Sequence, residues 1–176
     1  VYKRQVSMVQ TLSDFFRASL NSGKDIVSLE GECRHITSYL QIQQVRYQDI
    51  LTYDVDIPEE IANCKIPKIT LQPLVENALY HGIKNKRGKG RIVVTGRREK
   101  DKCVIRVEDN GIGMTKERLN QVRGGLTTKI EDSNDFYGLY NVNERIRLKF
   151  GEEYGLSIDS VLQEGTCVEV WLPWES

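Results

Sequence analysis

KCVIRVEDNGIGM, residues 102–114, is the stretch on which the fold reading turns. Lys102–Glu108 alternates apolar and polar residues as a half-buried strand does. Asp109-Asn110-Gly111-Ile112-Gly113 then halts the strand, because Asp, Asn and Gly supply turn geometry that a ladder cannot continue. A short helix is expected around Lys116–Val122. Upstream, Arg91–Arg97 reads as a second strand, joined to the first across Glu99-Lys100-Asp101. Downstream, a helix over Leu139–Phe150 stops at Gly151, and two strands, Leu156–Val161 and Thr166–Leu172, flank a turn at Gln163-Glu164-Gly165. Strands paired by short turns, with helices gathered on one face, predict an α+β fold, a two-layer α/β sandwich.

Further upstream, Leu51–Ile57 alternates as a strand and ends at Pro58, and Ile69–Ile83 carries apolar residues at helical spacing. Ser28 is a good N-cap for a long helix running to about Asp49. Leu29, Cys33, Ile36 and Leu40 step by four, three and four, a seam that serves either the domain's own core or a second helix. Residues 6–20 are helical in pattern, with Met8, Leu12, Phe15 and Phe16 on one face and Asn21-Ser22-Gly23 as a stop. Residues 124–136 are polar with two glycines and read as a mobile loop.

The 176-residue chain holds 25 basic and 25 acidic residues, which removes a bulk-charge argument for nucleic acid. The local run Lys84, Lys86, Arg87, Lys89 and Arg91 reads as a solvated loop. Cys33, Cys64, Cys103 and Cys167 are far apart without a CxxC pair, so zinc spacing is absent and a reducing compartment suits them. Nothing in the sequence reaches the roughly 18 apolar residues of a membrane span. Because the chain opens at Val1, it is expected to be a piece of a longer protein whose membrane anchor lies elsewhere.

Four local features carry chemistry. In Leu74–Gly82, LVENALYHG, the Glu76-Asn77 pair sits inside an apolar helix. An amide oxygen at Asn77 suits Mg²⁺, which takes oxygen ligands, although a solvated or hydrogen-bonded pair fits the residues as well. Asp109 at a strand end can accept the exocyclic amine of adenine, and Gly111 and Gly113 allow close backbone approach. Tyr137-Gly138-Leu139 opens a helix whose free N–H groups suit phosphate. Gly165-Thr166 places a hydroxyl at the start of the last strand.

In this order the features resemble the Bergerat-type ATP-binding fold shared by gyrase, heat-shock chaperones, histidine kinases and MutL. VENALYHG resembles its N box, DNGIGM its G1 box and YGLYNV its G2 box, over residues 51–176. The segments LSDFFRASL, VSLEGECRHITSYLQIQQVRYQ and KITLQPLVENALYHGIKN are similar to LytS/YesM-type sensor histidine kinases. The resemblance implies that residues 1–50 end a dimerisation segment and that 51–176 form the catalytic domain. It implies ATP and Mg²⁺ as ligands, with Asn77 on the metal and Glu76 assisting at its edge. His81, Asp109, Gly111, Gly113, Met114, Gly138, Leu139 and Thr166 would hold the nucleotide, under a lid at residues 115–137. A response regulator receiver domain and a dimer mate are the implied partners. The implied location is cytoplasmic, within a membrane-anchored protein.

Hydrolytic relatives place a Glu four residues before the metal-binding Asn, one turn away on the same face. Pro73 stands there, and Glu76 points about 100° around the helix from Asn77. That favours transfer to a histidine over hydrolysis. The family's acceptor histidine sits upstream of the matched segments, so His35 is expected to be structural and His81 to stack on or edge the base, or simply to pack. Tyr80 replaces a common phosphate-holding Lys, leaving Lys84, Lys86 or Lys129 for that role, and Phe136 replaces the first Gly of the G2 box. A degenerate interaction module and a hydrolytic ATPase are the alternatives.

Overall fold

The computed structural model describes residues 6, 8–13, 15, 16, 25–48, 50–128 and 137–174. Five strands form one sheet: β2 (Leu51–Asp56), β4 (Gly90–Glu99), β5 (Lys102–Asp109), β6 (Gly155–Val161) and β7 (Gly165–Pro173). Their order is β2-β4-β5-β7-β6, with β2 parallel to β4 and every other pair antiparallel. A small ribbon pairs β1 (Ile26–Ser28) with β3 (Lys65–Pro67). Among the described residues from 25 onward, four α-helices accompany the sheet: α1 (Leu29–Arg46), α2 (Leu71–Asn77), α3 (Lys116–Gly125) and α4 (Tyr137–Phe150).

The period of two in the strands decides which side the helices cover. Ile92 and Val94, then Ile105 and Val107, then Val168 and Val170 are buried in neighbouring strands, with Ile158 beyond them. The other face carries charge, including Arg97 paired with Glu99 and Glu169, and Arg106 paired with Glu108. Helices therefore pack on one side of the sheet, which is the α/β sandwich expected from the turns. The strand and helix bounds fall within a few residues of the expected ones.

Ser28 caps α1 as expected, its hydroxyl accepting from the Gly31 N–H at 3.2 Å. The seam residues Leu29, Cys33, Ile36 and Leu40 are buried in the same core as the sheet, so they serve this chain's own packing. Two expectations change. The stretch from residue 124 is not loop at its start: α3 continues to Gly125, and Leu126 is buried one turn after Val122. Leu119, Val122 and Leu126 share one helical face, and that apolar stripe outweighs the two glycines. Ile69–Ile83 is likewise not one regular helix. Beyond α2 the chain widens to a π-helical turn over Ala78–Ile83, where the Lys84 N–H donates to the Leu79 carbonyl five residues back at 2.8 Å.

Residues 8–13, 15 and 16 are helical, consistent with the pattern there, whereas the stop at Asn21–Gly23 lies outside the described residues. So do residues 129–136, and with them Lys129, Phe136 and about a third of the expected lid.

Candidate functional site

A cavity of about 340 Å³ opens between the sheet and the helices. The lining includes Asn77, His81, Asp109, Gly113, Met114, Leu139 and Thr166, gathered from α2, the π-helical turn, β5, the loop after it, α4 and β7. Most of the remaining wall is apolar, from Leu74, Ala78, Val107, Ile112, Ile158 and Val168. An apolar slot with a few convergent polar groups is the usual form of a small-molecule site.

Asp109 is the carboxylate of that wall among the described residues. The β5–β7 register sets Asp109 opposite Thr166, on the same sheet face as Val107 and Val168. Oδ1 of Asp109 accepts the Gly111 N–H at 2.8 Å. Burial pushes the carboxyl up from 3.8 to about 6, against the Gly111 and Thr166 backbone N–H groups and the Lys86 charge, which pull it down. The carboxylate thus keeps acceptor capacity in a desolvated place, where a donor from a ligand gains most. The Thr166 hydroxyl lies 2.9 Å from Ser160 Oγ, which donates to the Gly165 carbonyl at 2.8 Å.

Two glycines make room for Asp109 by close approach. A methyl group on Gly82 would stand 2.5 Å from Asp109 Oδ1, and one on Gly111 would overlap the Gly82 backbone. Gly113 is needed for a different reason. Its φ is +61°, in the left-handed region, and a Cβ there would collide with the Val161 carbonyl. The same loop is tied to the β6–β7 turn by the Gln163 N–H, which donates to the Ile112 carbonyl at 2.7 Å.

Some expected residues lie elsewhere. Glu76 is outside the cavity lining; it accepts from Gln72 Nε2 at 2.9 Å, because it is turned a quarter of the helix away from Asn77. Gly111 lies behind Asp109, and Gly138 faces Pro73, with 3.7 Å between a built Cβ and the Pro73 Cβ. Lys86 donates to the Asn110 carbonyl at 2.5 Å and Lys84 stands 5.7 Å from the Tyr80 ring, so neither lines the cavity. Arg91 of the same basic run pairs with Asp54. Among the lining residues absent from the expected set are Gly82, Asn85 and Arg118. Thr115 held the signal for Arg118. It caps α3 by accepting the Arg118 N–H at 3.2 Å, and both residues line the cavity.

The donor set fits a nucleotide with a divalent cation. A desolvated carboxylate and apolar walls suit a base, and the Asn77 amide at the rim is an oxygen ligand of the kind Mg²⁺ prefers.

Comparison with known proteins gives the family. The profile of the histidine kinase-, DNA gyrase B-, and HSP90-like ATPases matches residues 67–176, and that of the histidine kinase family matches residues 2–51. The chain belongs to this ATPase family. Within it, sensor histidine kinase YesM of Bacillus subtilis is 36% identical over 97% of this chain and 28% of that protein. Sensor histidine kinase BtsS of Escherichia coli K12 is 34% identical over 95% of this chain and 27% of its own length. LytS of Staphylococcus saprophyticus is 35% identical over 94% and 28%. The chain thus spans little more than a quarter of these relatives. Among solved structures, the histidine kinase domain of the Erythrobacter litoralis EL346 blue-light activated kinase superposes with a TM-score of 0.61 at 15% identity, covering 94% of this chain and 72% of that one. The nucleotide-free catalytic domain of histidine kinase ThkA also gives 0.61, at 11% identity, covering 84% and 94%. These likenesses show the fold. By family and relatives this chain is an ATP-binding domain of the sensor histidine kinase type.

Proposed function

We propose that this chain is the catalytic part of a sensor histidine kinase and transfers the γ-phosphoryl group of Mg-ATP to a histidine outside residues 1–176. The observation that carries the reading is Asp109, a largely desolvated carboxylate that lines the same apolar slot as Asn77. Asp109 accepts the exocyclic amine of adenine, with Thr166 beside it. Met114, Leu139 and His81 enclose the base, Gly113 lets the loop backbone approach it, and Gly111 leaves room for Asp109. The Asn77 amide oxygen holds the cation, which when bound neutralises charge between the phosphates. Arg118, which lines the cavity, faces the phosphate end, whereas Gly138 at the start of α4 packs by Pro73. Glu76 supports Asn77 through Gln72 rather than handling a proton.

Phosphoryl transfer depends chiefly on positioning and charge stabilisation, so a kinase of this kind needs no base beside Asn77. Pro73 occupies the place from which a hydrolytic relative would activate water. Residues 1–50 would end a dimerisation segment and 51–176 would form the catalytic domain. A response regulator receiver domain and a second copy of the protein are the proposed partners. The working location is the cytoplasmic side of a membrane to which other segments anchor the protein.

Calorimetric titration with a non-hydrolysable ATP analogue, with and without Mg²⁺, tests the reading. Magnesium-tightened binding that Asp109→Asn loses supports it. Absence of heat at millimolar ligand rejects it in favour of an interaction module. Steady phosphate release from the isolated chain would instead identify a hydrolase.

A further inference from the structure

Helix α2, which carries Asn77 at its last position, begins without a cap of its own. Thr70 stands in the N-cap place with helical backbone (φ −88°, ψ −45°), and its hydroxyl donates to the Pro67 carbonyl at 2.6 Å. The N–H groups at a helix start then need another acceptor, since burying them unpaired is costly. Glu32 of α1 supplies it. Its Oε1 accepts the Ile69 N–H at 2.7 Å, and its Oε2 accepts the Thr70 and Leu71 N–H groups at 3.0 and 3.1 Å. Glu32 is 2% exposed, so these bonds lie in a dry site at the positive end of a helix.

The same turn is held from the opposite side. Arg145 of α4 donates to the Ile69 carbonyl at 2.8 Å and to Thr70 Oγ1 at 3.4 Å. A second tie runs from α1 to α2, where His35 Nε2 lies 2.6 Å from Gln72 Oε1 and Gln72 Nε2 donates to Glu76. From Leu71 to Asn77 the helix rises about 9 Å as one stiff rod. A displaced start therefore moves the amide at its end.

We propose that Glu32 is a positioning residue for the metal step: by fixing the start of α2 it sets the Asn77 amide where Mg²⁺ must sit. The inference rests on the nucleotide-binding reading above. It assigns α1 a direct hold on metal affinity, whereas adenine reading by Asp109 belongs to the sheet and is independent of that hold.

The test uses the full 176-residue chain with a non-hydrolysable ATP analogue, titrated with and without MgCl₂, in Glu32→Gln. Glutamine keeps the length but turns one acceptor into a donor facing N–H groups. The tightening by Mg²⁺ should fall about tenfold, the range expected when support behind a metal ligand is lost, while metal-free affinity stays within about twofold. Glu30→Gln on the exposed side of the same helix, next to Arg34, should change neither. An unchanged magnesium effect in Glu32→Gln overturns the proposal, and so does an equal loss of metal-free affinity. If Glu32→Gln does not fold, the wild-type chain still decides. Coupling is reciprocal, so adding Mg²⁺ to the nucleotide-loaded chain should slow hydrogen exchange of the Ile69–Leu71 amides by about tenfold. Unaltered exchange there overturns it. A wild-type chain that binds no nucleotide overturns the functional reading and this one together. A chain that binds, and loses binding in Asp109→Asn but keeps its magnesium effect in Glu32→Gln, overturns this one alone.

Discussion

The two ends of the proposed nucleotide pocket are built by different means. The Asp109 end is made from neighbouring strands and glycine-relieved contacts: β5 and β7 set Asp109 opposite Thr166, and Gly82 lies against the carboxylate. The Asn77 end hangs on a seven-residue helix whose start is fixed by Glu32 and Arg145 from other parts of the chain. A sheet position is over-determined by ladder bonds on both sides, whereas a short helix takes its place from whatever grips its ends. The first end should therefore fail by steric or electrostatic insult at the site. The second should be tunable from a distance.

The most damaging change should be Gly113→Ala. It sets a Cβ at φ +61° and against the Val161 carbonyl, with the Gly165 carbonyl 3.1 Å away. Neither neighbour is a flexible side-chain end, so denaturant unfolding should show a loss of about 3 kcal/mol or more, and nucleotide binding should vanish with it. A loss below about 1 kcal/mol would mean that the loop slides freely and the Asp109 end is not rigid.

Asp109→Asn should come next, weakening nucleotide binding about 100-fold with and without Mg²⁺ through loss of the charged acceptor. Its effect on the empty chain has the opposite sign. Burial raises the folded carboxyl to about 6 from 3.8, so between those values the folded chain keeps a proton that the unfolded chain has released. The stabilising contribution is complete below pH 3.8 and lost by the time pH exceeds about 6. Above that, ionised Asp109 costs the empty chain up to about 3 kcal/mol. Asparagine carries no such penalty. Unfolding curves at pH 5 and pH 8 should show Asp109→Asn gaining on the wild type as pH rises; a parallel pair of curves would remove desolvation as the cause.

The contrast between the ends also explains what could be read from the chain alone. Lys102–Asp109 announces a strand by alternation and its end by DNGIG, and each cue sits within a few residues of the feature it specifies. Glu32 accepts N–H groups from residues 37 to 39 positions away, and in sequence it is only another charge in a helix. The ribbon of β1 and β3 is three residues on each side, too short for a period to show. The parallel pairing of β2 with β4 depends on a long crossover that no local pattern encodes. The π-helical turn escaped for another reason. ALYHGI carries ordinary helical residues, and it is the Gly82 contact with Asp109 that goes with its wider geometry.

At the Asn77 end, Asn77→Ala should leave metal-free nucleotide affinity within about twofold and reduce the tightening by Mg²⁺ about tenfold or more. Titrations at fixed nucleotide and varied Mg²⁺ measure it directly. An alanine variant with full magnesium dependence would place the cation elsewhere and collapse the distinction between the two ends.

The smallest effect belongs to Glu76→Gln. Glu76 neighbours Asn77 in sequence, and a carboxylate beside a metal ligand invites a role in the transfer itself. Its position argues otherwise, because the side chain accepts from Gln72 and its charge reaches Tyr39 of α1, whose phenol is pushed up by burial first and by Glu76 second. Glutamine retains the carbonyl oxygen that Gln72 needs, and the neutral Tyr39 phenol loses nothing when the charge is removed. Stability should shift by no more than about 0.5 kcal/mol, and Mg-nucleotide affinity by less than about threefold. The decisive measurement is phosphotransfer in a longer protein that carries its acceptor histidine. If Glu76→Gln slows transfer about 100-fold there while nucleotide affinity holds, the carboxylate acts on the reacting groups. The Asn77 end would then contain chemistry as well as position. Unchanged transfer leaves Glu76 as a tie between α1 and α2, and the phosphate end as a matter of placement.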